Sequence, residues 1–460
     1  MSPIVAGVDS STQSVKVVLR DADSGELIAS TSRPHPDGTE VNPQSWKKAL
    51  DEALSELGKH KIDAISIGGQ QHGMVTLNAN GEVIRDALLW NDTRSDLAAG
   101  QLNQEITDIH LRTGSQLVAS FTASKVRWLA DNEKDNAQQL AAVALPHDWL
   151  SWQLSGAKSL DDLFTDRSDA SGTGYFDSVK NEYCRDIFAA ALRDDRQITL
   201  PKVIAPNSFG GRTNGGIPIA CGAGDNAGAA LGLGAGVGDL IISLGTSGTA
   251  FAVSDTSTHD VSGEVAGFAD ATGNFLPLAC TLNAAKIFNT ISQTLGISFE
   301  EFSQLALKAN VGADGLRIVP HFDGERTPNK PQAKGLFTGI THNNFTKANI
   351  ARAAIEGVIA GMVYATQALE KLGVNYSRVL LIGGAAKNSA VQQIAADFFN
   401  NNINLPPVGE YVADGAAKQA AWALTGTTTP PQWSMGEVKQ IAPKNDAAEV
   451  VAEYMELIRR

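Results

Sequence analysis

Short apolar runs alternate along the chain with longer amphipathic segments, which is the pattern of strands interleaved with helices. The apolar runs that predict buried strands lie at residues 4–8, 15–19, 62–67, 240–244 and 378–382. Segments with helical periodicity and capping residues predict helices at 42–57, 121–133, 283–295, 299–309 and 346–373. Because strands and helices alternate, we expect an α/β fold.

Turn and capping residues predict further features. Residues 166–177 are polar and contain glycine, so they are expected to form a loop. Asp414 is expected to cap a last core helix that ends near Gly426, and a short helix is expected from about Asp446.

One unit of the pattern occurs twice. Strand 240–244, the turn Gly245-Thr246-Ser247-Gly248 and the strand that follows line up with the first two strands of the chain and the turn Ser11-Thr12-Gln13-Ser14 between them. This repeat predicts two related domains, at residues 1–238 and 239–460, each beginning with a hairpin. Both hairpin turns offer backbone N–H groups and hydroxyl donors.

A carboxylate stands on a glycine-rich turn near the middle of the chain, in Gly222-Ala223-Gly224-Asp225-Asn226-Ala227-Gly228. The apolar run before this turn and the small residues after it place Asp225 between a strand and a helix. Glycines leave room for a ligand, so Asp225 could accept a proton from a bound hydroxyl. Two alternatives remain at this point. Asp225 could simply cap the helix, or the glycines could form a dinucleotide fingerprint, although a pyrophosphate would then be repelled by Asp225.

The chain has no P-loop sequence and no protein-kinase motifs, so these two kinds of ATP site are excluded. ATP could instead be held between the two hairpin turns. Hydroxyls and N–H groups of Ser11, Thr12, Thr246 and Ser247 would face the phosphates of ATP. Asp9, at the end of the first strand, would hold Mg²⁺ directly or through water. The alternative is that both turns are ordinary hairpins rich in Ser and Thr.

The glycines that follow strand 378–382, Gly383-Gly384-Ala385, permit two interpretations. They could allow close approach of the adenosine of ATP, or they could allow a helix to pack closely against the strand.

Composition limits the partners of the chain. With 460 residues and a net charge of −13, the protein is expected to bind neither nucleic acid nor an anionic membrane. No signal peptide and no apolar run of roughly 20 residues is visible. Three cysteines far apart suggest reduced thiols, so a cytoplasmic location is expected.

Two long patterns resemble the signatures of the FGGY family of carbohydrate kinases. The first is Ser120-x-Thr122-x-x-Lys125-Val126-x-Trp128-Leu129-x-Asp131-Asn132, and the second comprises Gly335-x-Phe337-x-Gly339-Ile340 and Asn349-Ile350-x-x-Ala353-Ala354-Ile355-Glu356. The resemblance covers nearly the whole chain. It implies two actin-like, ribonuclease-H-like domains with an ATP cleft between them.

Within the family, five stretches are most similar to members that phosphorylate D-xylulose. They are 69–73, 89–92, 168–173, 224–226 and 324–328. The resemblance therefore implies ATP-dependent conversion of a ketopentose, D-xylulose, to its 5-phosphate. Ribulose, gluconate or glycerol as acceptor, or a non-catalytic actin-like sugar sensor, are the alternatives.

The resemblance also implies residue roles. Asp225 would be the catalytic base, and Asp9 would act with Mg²⁺ and phosphate. The sugar-binding residues would be Gln71, His72, Trp90, Asp225 and Asn226, although His72 and Trp90 could instead be packed core residues. The ATP-binding residues would be Ser11, Thr12, Gly245, Thr246, Gly384 and Asn388. A homodimer is expected by analogy alone.

Three residues depart from the family pattern. Ser11 replaces a glycine in the first turn, Gln71 stands where Met is expected, and Ala385 replaces a third glycine. These substitutions bear on the phosphate, sugar and adenine contacts respectively.

Overall fold

The computed structural model describes residues 2–434 and 436–460, which form two compact units. The first unit comprises Met1–Ala235, Gly267–Leu276 and Val408–Ser434, and the second comprises Gly236–Ala266, Pro277–Pro407 and Met435–Arg460. The chain thus passes between the units several times, whereas the sequence repeat placed one boundary after residue 238. A segment close to the carboxyl terminus, 408–434, belongs to the first unit.

The strands are short, and most are buried. In chain order they are β1 Ile4–Ser10, β2 Ser14–Asp21, β3 Leu27–Pro34, β4 Glu40–Val41, β5 Ala64–Gly69, β6 Val75–Leu77, β7 Ala87–Leu88, β8 Ala142–Ala144, β9 Phe164–Thr165, β10 Phe176–Asp177, β11 Glu182–Tyr183, β12 Lys202–Val203, β13 Phe209–Arg212, β14 Pro218–Ala220, β15 Ala223–Gly224, β16 Asp239–Leu244, β17 Gly248–Ala252, β18 Val265–Ala269, β19 Phe275–Thr281, β20 Arg317–Val319, β21 Leu336–Thr338, β22 Arg378–Ile382, β23 Ile403–Leu405 and β24 Lys439–Ile441.

The helices alternate with these strands, as expected for an α/β fold. They are α1 Pro43–Glu56, α2 Asp96–Glu105, α3 Ile109–Thr113, α4 Thr122–Asn132, α5 Lys134–Gln139, α6 Pro146–Leu154, α7 Arg167–Ser171, α8 Arg185–Leu192, α9 Asp225–Gly232, α10 Ala285–Leu295, α11 Phe299–Lys308, α12 Lys347–Lys371, α13 Ser389–Phe399, α14 Tyr411–Thr425 and α15 Ala448–Arg459. Short 3₁₀ turns occur at Leu160–Asp162, Ala313–Gly315 and Gly384–Lys387.

The main sheet of the first unit has the strand order β13-β14-β5-β1-β2-β3. The short strand β15 also pairs with β5, nearer the carboxyl end of β5 than β14 does. β1, β2 and β3 are antiparallel neighbours, whereas β1, β14 and β15 each run parallel to β5. The apolar side chains of β1, β2 and β5 that face α1 and α6 form one core of this unit.

The second unit repeats this arrangement, as the sequence predicts. β16 and β17 form an antiparallel hairpin, and β16 also runs parallel to β22, as β1 does to β5. The strand order here is β18-β19-β17-β16-β22-β23-β24. Thr346 caps the long helix α12, which crosses the core of the unit and ends before Gly373.

Two expectations from the sequence are wrong in detail. The predicted loop 166–177 contains helix α7 and strand β10, because Asp166 caps α7 by accepting hydrogen bonds from the N–H groups of Ser168 and Asp169. Helix α14 begins at Tyr411, so Asp414 lies inside it and does not cap it. The Asp414 carboxylate instead accepts a hydrogen bond of 2.7 Å from Arg20 Nε.

Glycines let the backbones of α9 and α14 approach closely within the first unit. A Cβ atom added to Gly415 would lie 1.9 Å from Gly228 O, so no side chain fits there. On the other side of α14, a Cβ on Gly7 of β1 would lie 1.9 Å from Ala413 O. The start of α9, and with it Asp225, is therefore fixed by a glycine-lined contact with a segment about 190 residues farther along the chain.

No helix in residues 2–434 or 436–460 combines the length and the apolar character required to cross a membrane.

Gly415→Ala should destabilise the first unit by about 1–3 kcal/mol, because the added methyl overpacks the contact with α9. The matched control is Gly361→Ala in α12, where the added Cβ meets no atom within 4 Å. That change should be neutral or stabilise the protein by up to about 1 kcal/mol through helix propensity. Midpoints of urea unfolding compare the two variants, and equal midpoints would contradict the proposed packing constraint.

Candidate active site

Three parallel strands of the first unit end side by side. Asp9 on β1 is opposite Gly68 on β5, and Gly69 is opposite Gly224 on β15. Because the carboxyl ends of parallel strands meet at one edge of a sheet, Asp9 and Asp225 are brought to the same edge. The loop that follows β5 carries the predicted sugar-binding residues to this edge as well.

Asp225 is the first residue of α9, and Gly224 occupies the capping position before it. The side chain makes no capping hydrogen bond of the usual kind; its Oδ1 accepts from the N–H and Nδ2 of Asn226, each at 2.7 Å. The residue is only partly exposed, and burial raises the pKa of its carboxyl to about 6. A carboxyl of this kind can take up a proton near neutral pH.

Gln71 lies against the turn that precedes Asp225. Its Nε2 donates to Ser168 O at 3.3 Å, and a Cβ added to Gly224 would lie 2.6 Å from the same nitrogen. The structure therefore places Gln71 against Gly224, the residue before Asp225, and sugar contact by Gln71 stays a prediction.

His72 has a left-handed backbone, with φ of 67°, which is uncommon for a residue other than glycine. Its Nδ1 is 2.6 Å from Gly172 O, so that nitrogen carries the proton and donates it. The ring packs 4.9 Å from the ring of Phe121 and 5.4 Å from that of Phe268. The His72 ring is therefore at least partly a packed core side chain. Contact between His72 and the sugar stays a prediction.

Residues of the first family signature, 120–132, hold the loop that contains His72. Thr122 Oγ1 and Lys125 Nζ, both fully buried on α4, each donate to the backbone carbonyl of His72 at 3.2 Å. Two donors on one carbonyl oppose the strain of a left-handed histidine. The sequence pattern identified these residues but not this structural role.

Trp90 links the loop before α2 to the first hairpin turn. Its Nε1 donates to Thr12 Oγ1 at 2.9 Å, and the Thr12 hydroxyl lies 3.4 Å from Gln70 Oε1. Ser11 closes the turn, with its hydroxyl donating to Ser14 O at 2.9 Å. The hydroxyls of both predicted phosphate ligands are thus oriented by neighbours within the first unit.

Asp9 fits the role of a metal ligand. Its carboxyl is 6% exposed, and within the described residues Oδ1 has no hydrogen-bond partner. Burial raises the pKa of Asp9 to about 7, while nearby Lys16 opposes that rise and Asp225 adds to it. An orphaned carboxylate oxygen at the sheet edge is the kind of hard donor that Mg²⁺ accepts.

A buried histidine that the sequence did not identify lies beneath these strand ends. His147 Nδ1 is 2.6 Å from Asp169 Oδ2, and Nε2 is 3.3 Å from Asp148 Oδ1. All three side chains are fully buried, and one ligand atom from each lies within 4.8 Å of the others, a spacing that a metal ion also accepts. The short hydrogen bond to Asp169 makes an ion pair the better description.

The electrostatics of this group agree with an ion pair. Burial alone would lower the pKa of His147, but the neighbouring carboxylates, Asp148 first among them, raise it to about 10. Burial raises the pKa values of Asp148 and Asp169. The surrounding carboxylates therefore favour the protonated form of His147. The only sequence signal was His147 and Asp148 at the start of a helix, a pattern too common to indicate such a group.

The predicted nucleotide residues of the second unit also gather at strand ends. Ser243 on β16 pairs in parallel register with Ile382 on β22, and a Cβ on Gly383 would lie 2.5 Å from Leu244 O. The turn at Gly245 and Thr246 therefore lies beside the turn at Gly384. Thr246 and Gly384 are exposed.

Asn388 has a structural role in addition to any contact with adenosine. Its Oδ1 caps α13 by accepting from the N–H groups of Ala390 at 2.9 Å and Val391 at 3.2 Å, and it also accepts from Ser303 Oγ at 2.8 Å. Contact between Asn388 and the nucleotide stays a prediction.

Comparison with known proteins gives one result over both halves of the chain. Residues 4–232 match the N-terminal domain of the FGGY family of carbohydrate kinases, and residues 240–424 match the C-terminal domain of the same family. A xylulose kinase of Streptomyces coelicolor is 42% identical over 442 residues, which cover 92% of this chain and 89% of that protein. The xylulose kinase of Escherichia coli is 32% identical over 445 residues, covering 90% and 89%.

Solved structures agree with this result. The crystal structure of a xylulose kinase from Bifidobacterium adolescentis has a TM-score of 0.91 and 42% identity, and the match covers 100% of both chains. A glycerol kinase from Plasmodium falciparum, solved with ADP, shares the fold at a TM-score of 0.88 and 20% identity, covering 100% of this chain and 98% of that one. The repeated hairpins, the strand-end carboxylates and both signatures have one explanation: this chain belongs to the FGGY family of carbohydrate kinases.

Proposed function

We propose that this kinase transfers the γ-phosphoryl group of ATP to the 5-hydroxyl of D-xylulose. The observation that carries the proposal is Asp225, a partly exposed carboxylate with a pKa raised to about 6, located where three parallel strands end and next to Gly224, which Gln71 contacts. Xylulose kinases that are 40–42% identical over 92% of the chain support the choice of sugar.

In the proposed reaction, Asp225 accepts the proton of the 5-hydroxyl while the hydroxyl oxygen forms its bond to the γ-phosphorus. The bond between that phosphorus and the bridging oxygen of ADP breaks, and ADP leaves with its electron pair. Mg²⁺, when bound, neutralises charge on the phosphates. Asp9 would hold the ion directly or through water, since its Oδ1 is buried without a protein partner.

On the sugar side, Gln71, His72, Trp90 and Asn226 are proposed to position the acceptor. Gln71 lies against Gly224, the residue before Asp225, and Asn226 already donates two hydrogen bonds to the Asp225 carboxylate. Those two bonds orient one oxygen of the base and favour its ionised form. They leave the other oxygen as the proposed proton acceptor.

The nucleotide is proposed to contact Ser11, Thr12, Gly245, Thr246, Gly384 and Asn388. Support comes from Gly245, Thr246 and Gly384, whose turns follow two adjacent parallel strands of the second unit. A homodimer and a cytoplasmic location remain proposals from analogy.

The choice of acceptor is tested by measuring ADP release with D-xylulose, ribulose, gluconate and glycerol under identical conditions. We expect kcat/KM to be highest for D-xylulose by at least about tenfold, because a site built to hydrogen-bond one hydroxyl pattern rejects others. A higher kcat/KM for any of the other three would replace the proposed substrate while leaving the kinase activity intact. No ADP release above background with any sugar would favour a sugar sensor.

Asp225→Asn should lower kcat by about 10²–10⁴-fold, because the amide keeps the shape but cannot accept the proton. Sugar binding, measured by calorimetry, should be retained. The matched control is Asp96→Asn, since Asp96 is likewise the first residue of a helix, α2. If both variants keep normal turnover, Asp225 serves only the helix terminus.

The rate should also depend on pH. The base is needed as a carboxylate, and its pKa of about 6 implies that kcat/KM for the sugar falls about tenfold per pH unit below 6. Saturating Mg²⁺ would keep Asp9 ionised, so the acid limb of the pH–rate profile would then report the pKa of Asp225. A kcat/KM that stays constant down to pH 5, in enzyme that recovers fully when returned to pH 7.5, would contradict the assignment.

A further inference from the structure

The ring of His147 lies directly under the turn that leads to Asp225. A Cβ on Gly222, whose φ is 89°, would lie 2.3 Å from His147 Cδ2, so only a glycine fits over the ring. A Cβ on Gly69 of β5 would lie 2.9 Å from the Cβ of His147. His147 therefore packs against the end of β5 through its Cβ and against the turn before β15 through its ring.

The ring is fixed by carboxylates on more than one side. Asp169 on α7 pairs with Nδ1 at 2.6 Å, Asp148 on α6 lies 3.3 Å from Nε2, and Asp166 lies 3.9 Å from Nε2. None of these side chains is more than 4% exposed. Charges buried this deeply depend on one another, since removing one partner leaves the others uncompensated.

Helix α7 connects His147 to the turn that precedes Asp225. Asp169 lies next to Ser168, whose Oγ accepts a hydrogen bond from the N–H of Gly224 at 3.1 Å. The backbone carbonyl of Ser168 accepts from Gln71 Nε2 at 3.3 Å. One residue of α7 thus holds both the residue immediately before Asp225 and the proposed sugar ligand beside it.

We propose that His147 is a positioning residue for the proposed base. Its ring fixes α7 through the 2.6 Å contact of Nδ1 with Asp169, and α7 fixes the Gly224–Asp225 turn and Gln71 through Ser168. The inference rests on the proposed function in one respect, that Asp225 is the base. It assigns a role to the stretch 168–173, which the family resemblance marked but no proposed chemical step uses.

A purely structural role for His147 makes a different prediction. Burial of an ion pair would then affect only stability, and every folded molecule would turn over at the normal rate. A positioning role affects kcat in the folded protein, because a displacement of about 1 Å in a reacting group can cost about 100-fold in rate. The two roles are separated by measuring kcat and unfolding independently.

The experiment compares three variants of the full chain. His147→Gln removes the charge but keeps a side-chain amide, and Ser168→Ala removes only the hydroxyl that holds Gly224. The control is Ser124→Ala, another fully buried serine of the first unit, whose hydroxyl donates to Val118 O at 2.9 Å, away from the turn. Each kcat is normalised to the folded fraction from circular dichroism.

We expect kcat for D-xylulose to fall about 10–100-fold in His147→Gln and in Ser168→Ala, with KM for MgATP changed less than twofold and Ser124→Ala unchanged. The double variant should lose less than the product of the single losses, because both act through one connection. If His147→Gln does not fold, Ser168→Ala decides alone. Normal kcat in the folded His147→Gln and Ser168→Ala variants overturns the inference.

The Asp225→Asn measurement keeps the two proposals apart. Normal turnover in Asp225→Asn would refute the base, and this inference with it. Lost turnover in Asp225→Asn together with normal turnover in His147→Gln and Ser168→Ala would refute the positioning role alone.

Discussion

The parallel register of β1, β5 and β15 is the constraint on which the site of the first unit depends. Pairing of Ser10 with Gly69, and of Gly69 with Gly224, aligns the three carboxyl ends to within one residue. A shift of one residue in either pairing would turn the side chains at the strand ends to the opposite face. The chain maintains the register from outside the sheet, through the contact of α14 with both β1 and α9.

The same constraint explains where the glycines are needed. Gly69, Gly222 and Gly224 each lie where an added Cβ would come within 3 Å of His147 or Gln71. Strand ends that lie close together leave room for only a few side chains. Glycine is therefore needed where His147 and Gln71 approach the backbone. In the second unit Gly383 has a different reason, because an added Cβ would meet the backbone of the neighbouring strand at Leu244 O.

Much of the fold could be predicted because it depends on local periodicity and on a repeat. The hairpins, the buried strands, and α12 with its cap all follow from nearby residues. The start of α14 was misplaced because Asp414 pairs with Arg20, a partner 394 residues away that no local pattern reveals. Residues 166–177 carry many carboxylates and hydroxyls, so their hydropathy pattern predicts a loop. In the structure these polar groups are buried against one another, which the pattern cannot reveal.

Buried charge is the feature of the site that the sequence concealed most fully. Five carboxylates, Asp9, Asp148, Asp166, Asp169 and Asp225, lie near the strand ends, and burial raises the pKa of each. His147, Lys16 and Arg167 offer positive charge to members of this group, and Lys16 also pairs with Glu410 at 2.5 Å. Burying negative charge is costly to folding, but burial is also what raises the pKa of Asp225 to about 6, closer to the range where a base is most useful. The pairing of His147 with Asp169 offsets part of that cost within the group.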